Sequence, residues 1–418
     1  MALIEERLER QLLIKGWNQV ALENARVGVV GDDDLLASLF ALSAAALGIN
    51  DLVVIAPMLE KVLINAAMRI NPRFNLTFLE GFYTHPALND LFAGCKVIAD
   101  LSLYGLGNKL LVNKAYRDGT PVVRSFVLRS ARETGFRIFT YMKGREWEEL
   151  ESVVSQTGLP GKHPDDGVMD TIASGVALDE VKNILMGWKV TPELISYSRE
   201  DGAAPMNSSP RILVIGAGAL GNFAGLGLAY SGIKDITFID PDLIEVANLN
   251  RQIFFYDAVG RGKAKTLAQR LNEGFGTFAK YLAGDFNEKT DISGYDVIFD
   301  CVDNFETRVL ISERCRADRK VLISGGTSHS AGQVTVYDPA AGGPTPSELL
   351  GINEIVRTRK AGSSSRVRQS CRNRPDPSVI MTNQIIAGFM VDAVRVLLTG
   401  GKPDNIFYNS ESEEKILR

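Results

Sequence analysis

Residues 211–241 read RILVIGAGALGNFAGLGLAYSGIKDITFIDP, and residues 26–57 read RVGVVGDDDLLASLFALSAAALGINDLVVIAP. Each has an apolar run of strand length, a turn, an apolar stretch of helix length, a Gly-Ile pair and a second strand closing on Pro. That is the opening βαβ unit of a parallel sheet. A repeat of this kind decides the architecture before any motif does. The correspondence continues, with CKVIADLS (95–102) beside YDVIFDCVD (295–303) and NKAYRDGTPVVRSF (113–126) beside SERCRADRKVLISG (312–325). At the far ends, residues 170–198 mirror residues 383–410, each an amphipathic helix running into an edge strand. The sequence therefore predicts an α/β fold of two tandem, doubly wound Rossmann-like domains, residues 1–197 and 211–418. The connector SREDGAAPMNSSP (198–210) between them has no periodicity. A second irregular stretch, 342–378, reads as a long functional loop, mobile until substrate arrives.

Composition bounds the reading. A chain of 418 residues exceeds one comfortable core and suits two domains. Its 45% hydrophobic and 23% charged content is that of a soluble globular protein, and a formal net charge of -4 argues against a general polyanion binder. No nucleic-acid partner is expected. The opening MALIEERLERQLLIKG lacks a signal-peptide core, and no apolar run reaches the roughly 18 residues that span a bilayer, so the expectation is a cytoplasmic protein with no membrane partner. Cys95, Cys301, Cys315 and Cys371 stand singly, and His85, His163 and His329 form no metal pattern. Cys301 reads as lying inside a strand and Cys315 inside a helix, both as packing residues.

GAGALG at 216–221 follows the apolar run ILVI and opens a helix, the context a nucleotide site needs. Gly216 permits the tight turn, Gly218 lets the backbone approach a phosphate, and Gly221 allows close helix packing. Asp240, ending the second strand, is placed to accept ribose hydroxyls. These features alone suit a dehydrogenase equally well. The next segment supplies Asn248, Arg251 and Lys263, the last two being cations a dehydrogenase does not need. A triphosphate attacked at its α-phosphorus does need them, because charge spreads over the phosphates and the leaving pyrophosphate. VIFDCVDN is read as a strand ending on Asp303 and Asn304, placed to hold Mg²⁺ against the phosphates.

The glycine turn, Asp240, NLNRQ, Lys263 and DCVDN, in this order and spacing, resemble the ThiF/MoeB/HesA and ubiquitin-activating adenylyltransferases over residues 205–418. The resemblance implies binding of ATP and Mg²⁺ and formation of an acyl adenylate, with the residues matching Asn248, Arg251, Lys263 and Asp303 on the nucleotide and its phosphates. In the first half the turn has become GDDDLL, Ala56 stands at the ribose position, NLNRQ is missing and Leu103 replaces Asp303. Three acidic residues would repel a triphosphate. RLERQ (7–11) nevertheless keeps the family's RxxRQ opening, whose second arginine, here Arg10, reaches across a dimer into the partner's site. The resemblance thus implies an intramolecular pseudo-dimer, an inactive half lending an arginine to an active one.

Arg366, Arg368, Arg372 and Arg374 surround Cys371 and favour its thiolate. The placement is similar to that of the thioester-forming cysteine of autophagy-type activating enzymes, which implies that Cys371 takes the acyl group from AMP. The implied partner is the C-terminal glycine of a ubiquitin-like or sulfur-carrier protein, with a ribosomal peptide or small carboxylic acid as the alternative substrate. A nicotinamide oxidoreductase and a non-catalytic nucleotide-binding scaffold are the competing classes, and further pairing into a homodimer stays open.

Overall fold

A computed structural model describes residues 2–32, 34–103, 105–129, 133–144, 166–200, 209–362 and 376–418. The first half builds β1 (Arg26–Gly31), β2 (Asp51–Ala56), β3 (Asn75–Glu80), β4 (Val97–Leu101), β5 (Val122–Arg129), β6 (Glu133–Tyr141) and β7 (Ile195–Glu200). The second builds β8 (Ile212–Ile215), β9 (Ile236–Asp240), β10 (Lys280–Ala283), β11 (Val297–Asp300), β12 (Val321–Thr327), β13 (Ala331–Tyr337), β14 (Ile406–Asn409) and β15 (Ile416–Leu417). The sheet orders are β3-β2-β1-β4-β5-β6-β7 and β10-β9-β8-β11-β12-β13-β14-β15, the same winding twice with one short strand added. In each sheet the first five strands run parallel and the remainder antiparallel. The central parallel strands are buried along nearly their whole length, which is why they read as unbroken Val/Ile/Leu runs. Register is shared too: Val30 lies opposite Asp100, as Ile215 lies opposite Asp300.

The helices used below are α1 (Ala2–Leu12), α2 (Asp34–Leu47), α3 (Gly105–Asp118), α4 (Gly167–Met186), α5 (Ala219–Tyr230), α6 (Lys263–Phe275), α7 (Phe305–Ala317), α8 (Ile352–Gly362) and α9 (Ile380–Leu398). Three sequence expectations are corrected. Residues 346–362, inside the stretch that reads as irregular, form a short helix Pro346–Leu349 and then α8. The short helix is stabilised by a capping box between Thr345 and Glu348, a local signal masked by the surrounding prolines and glycines. Strand β14 is not the edge, because β15 pairs with it. Finally, α9 is long and apolar enough to cross a bilayer by length and composition, although Asp392 and Arg395 interrupt its apolar run. Here it is a core helix, with 83% of its apolar window buried inside the molecule.

The halves meet where α4 crosses α9. A Cβ built on Gly175 would stand 2.9 Å from Ile385, and one on Gly388 would stand 2.3 Å from Ile172. Tyr197 donates its hydroxyl to Asp392 at 2.9 Å, and Tyr408 donates to Asp179 at 3.1 Å. In the repeat, Gly175 matches Gly388, Ile172 matches Ile385, Asp179 matches Asp392 and Tyr197 matches Tyr408. The contacts are therefore reciprocal, the property that defines a self-complementary two-fold interface, but made within one chain. One continuous apolar cluster runs through both halves, from Val27 and Phe136 to Phe238 and Ile406.

Candidate functional site

The site forms at the ends of β8, β9 and β11 and the start of α5. Gly216 has φ +99°, and a Cβ there would lie 2.6 Å from the Cys301 carbonyl oxygen; one on Gly221 would lie 2.1 Å from the Gly216 carbonyl oxygen. Both positions exclude side chains for packing reasons. Gly218 differs. It caps α5 with no side-chain hydrogen bond, and a Cβ there would have only the Gln252 amide nitrogen nearby, at 3.8 Å. Space thus opens beside Gly218 at the N-terminus of α5, the kind of position that binds phosphate. Asp240 ends β9, and its carboxylate accepts from Ala217 N at 2.7 Å and Asp242 N at 2.8 Å. Burial raises its pKa against the opposing charge of Lys263.

The segment after β9 folds back over this turn. Asn248 spends its side-chain oxygen on Glu245 N at 3.0 Å, closing a capping box that holds the segment's shape. Arg251 is buried and donates to Ala247 O and to Asn250 Oδ1, each at 2.7 Å. Burial lowers its guanidinium to about 10, the neighbouring charge of Arg10 acts in the same direction, and Glu245 and Asp303 oppose them. Lys263, the first residue of α6, pairs with Asp242 at 2.8 Å. Arg10, from the other half, and Asp303 thus both act on the charge of Arg251.

Strand β11 ends at Asp300, not at Asp303, and this corrects the reading of DCVDN. Asp300 is internal: it accepts from Arg308 Nη1 at 3.1 Å and Ser324 Oγ at 2.6 Å. Asn304 is spent as the N-cap of α7, accepting from Thr307 N at 2.8 Å, so its oxygen is not free for a metal. Asp303 is exposed and has no hydrogen bond or ion pair among the described residues. A lone carboxylate fits Mg²⁺, which commonly takes one or two protein oxygens and completes its shell with water and phosphate. No cluster of three or more acidic, His or Cys ligands occurs among the described residues.

Arg10 arrives on α1, which docks on the C-terminal end of α2. Arg7 donates to Ala46 O and Gln11 donates to Leu47 O at 2.9 Å, capping carbonyls that end that helix with donors, one of them a cation. Two residues outside the predicted set join the site: Gln11, in RLERQ, and Asn250, in NLNRQ. Gln11 accepts from Asn250 Nδ2 at 3.1 Å across the junction of the halves. Both motifs are visible in sequence, but only a fold shows that they touch.

The matching turn of the first half is acidic. Asp32, which stands where Ala217 stands, accepts from Leu103 N. Burial raises its carboxyl to about 6, with the Leu103 hydrogen bond opposing the shift. A buried acid therefore occupies the first half's turn at the position where the second half has Ala217. Cys371 and its flanking arginines lie outside the described residues. Burial raises the other thiols: Cys95 to about 11, Cys315 to about 12, and Cys301 well above the usual range. Cys301 follows β11 rather than lying within it. A cavity of about 350 Å³ near Trp17, Trp188 and His329 contains none of the predicted site residues.

The ThiF family matches residues 193–413, more than half of the chain, and this protein belongs to that family. The molybdopterin-synthase adenylyltransferase of Escherichia coli is 32% identical over 180 residues, covering 39% of this chain and 72% of that protein. The adenylyltransferase and sulfurtransferase UBA4 of Candida albicans is 36% identical over 202 residues, 47% of this chain and 44% of its own length. The adenylyltransferase and sulfurtransferase MOCS3 of Culex quinquefasciatus is 36% identical over 137 residues, and each protein is covered to 31%. The chain thus spans less than half the length of the last two relatives. Among solved structures, E. coli MccB with ATP is 22% identical with a TM-score of 0.41, covering 51% of this chain and 64% of that one.

Proposed function

We propose that this protein adenylates a carboxylate at the expense of ATP, using a single nucleotide site in its second half. The observation that carries the reading is the junction of the two halves beside the uncapped N-terminus of α5, where Gln11, next to Arg10, accepts a hydrogen bond from Asn250, next to Arg251. The carboxylate oxygen attacks the α-phosphorus, the bond from that phosphorus to the bridging oxygen breaks, and pyrophosphate leaves. Arg251, Lys263 and Arg10 stabilise the charge that develops on the phosphates. Lys263 must exchange Asp242 for a phosphate oxygen to take part. Asp303 would hold Mg²⁺, which supplies further neutralisation of phosphate charge. No side-chain base is required, because a carboxylate is already ionised near neutral pH. The names of the E. coli and yeast relatives support adenylyl transfer, and on the family resemblance the substrate is the C-terminus of a ubiquitin-like or sulfur-carrier protein. In this reading the Cys371 thiolate then attacks the acyl carbon, forming a thioester as AMP leaves.

Titration calorimetry with MgATP tests the reading, followed by ATP–pyrophosphate exchange with candidate carboxylates. One MgATP per chain is expected, with affinity reduced at least about tenfold in Asp303→Ala. Equal binding at two sites, preference for NADH, or binding that never supports exchange with any carboxylate would each reject it.

A further inference from the structure

The first half does more than deliver Arg10. Gln11, the next residue, is completely buried and holds both halves at once. Its amide nitrogen donates to Leu47 O at 2.9 Å and Gln19 Oε1 at 2.6 Å, and its oxygen accepts from Asn250 Nδ2 at 3.1 Å. Asn250, also completely buried, turns its own oxygen to Arg251, accepting from Nη1 at 2.7 Å. The second bond of that guanidinium nitrogen goes to Ala247 O. Asn250 Nδ2 further reaches Ser378 O at 3.4 Å, and Ser378 N donates to Arg10 O at 3.3 Å. The result is a relay from the end of α2 through Gln11 and Asn250 to Arg251, with Ser378 tied to both sides.

We infer that Asn250, held by Gln11, is a positioning residue that aims Arg251 at the phosphates, so the active site is incomplete without the first half even where Arg10 itself is not involved. The inference rests on the nucleotide site proposed above. An arginine has several long rotamers, and fixing one before the ligand arrives removes an ordering cost that would otherwise reduce affinity. The side-chain oxygen of Asn250 suits this role because it is neutral and therefore fixes the guanidinium without cancelling the charge a phosphate needs. An aspartate there would compete with the ligand. Gln11 is equally suited, since its amide donates to both the α2 carbonyl and Gln19 while accepting from Asn250.

The test compares ATP with AMP, which lacks the two outer phosphates, by calorimetry on the full chain and on Gln11→Leu, Asn250→Ala and the double variant. Each single change is expected to weaken MgATP binding about tenfold while AMP affinity stays within about twofold, and the double variant should lose no more than the worse single one. Unchanged AMP binding certifies the fold, which a purely structural role would not spare. Asn250→Ser, whose hydroxyl is too short to span Gln11 and Arg251 together, provides a milder break should Asn250→Ala fail to fold. Wild-type ATP affinity in the variants, equal losses for ATP and AMP, or losses that multiply in the double variant would overturn the relay. A wild-type chain that binds neither nucleotide would instead reject the nucleotide site itself.

Discussion

Asp100 and Asp300 occupy the same position in the two halves, and each is buried beside one guanidinium, but the cation has changed places. In the second half Arg308, eight residues on, binds Asp300, while Ser324, at a spacing of 24, donates its hydroxyl. In the first half Asn108 sits at the spacing of 8 and Arg124 at 24, both bonded to Asp100 at 2.8 Å. Each arginine also clamps the carbonyl of the second residue after the aspartate, Val302 or Ser102. Removing one partner from a buried pair leaves a charge uncompensated and costs about 3–5 kcal/mol. Arg124→Ser is therefore expected to destabilise the protein by an amount of that order, and Arg124→Ser combined with Asn108→Arg should recover most of it by rebuilding the arrangement of the other half. Denaturant unfolding of the three proteins measures this, and a double variant no more stable than the single would show the two arrangements are not equivalent. Neither aspartate's partner is legible in sequence, because the bonds join a strand to a helix and to the next strand, and each arginine looks like any other. Arg251, Lys263 and Asp303 are legible as candidates, since each lies in or just after a short contiguous motif, NLNRQ or DCVDN. Asn304 misleads a reader of the sequence because capping by Asn and metal ligation look alike in a string of letters.

At the scale of an element, the turn between β8 and α5 separates packing from binding. Gly216 and Gly221 face backbone oxygens, whereas Gly218 faces open space at the helix end. Gly218→Ala is expected to lower stability by less than about 1 kcal/mol while weakening MgATP binding about tenfold, because the methyl group stands where a phosphate approaches. Gly221→Ala should instead destabilise the fold, since its Cβ would lie 2.1 Å from an oxygen. Thermal unfolding beside calorimetric titration distinguishes the two, and loss of stability without loss of affinity in Gly218→Ala would contradict the phosphate assignment. This element is readable from GAGALG because strand, turn and helix are contiguous. The helix Pro346–Leu349 is not, although its capping box is equally local, because proline, glycine and serine around it dominate the composition.

Across the whole molecule, the repeat in sequence anticipates two sheets of one winding, but the crossing of α4 and α9 depends on pairs some two hundred residues apart. That reciprocity supports descent of the two halves from one duplicated domain. Because one apolar cluster serves both halves, unfolding is expected as a single cooperative transition, and residues 1–208 and 209–418 produced separately should each be insoluble or unfolded yet form a 1:1 complex when produced together. Two resolved calorimetric transitions, or a stable isolated half, would show the cluster to be two cores in contact. The tether carrying Arg10 has a further consequence. A site shared between separate subunits loses its borrowed arginine whenever the subunits part, so its output falls on dilution and depends on matched synthesis of both. In the function proposed here the donor is covalently bound to the acceptor, at an effective concentration that no change in cellular abundance alters. Turnover per molecule should therefore hold constant down to the scarcest copy number, and mutations in the first half should not be diluted out by exchange with an intact neighbour.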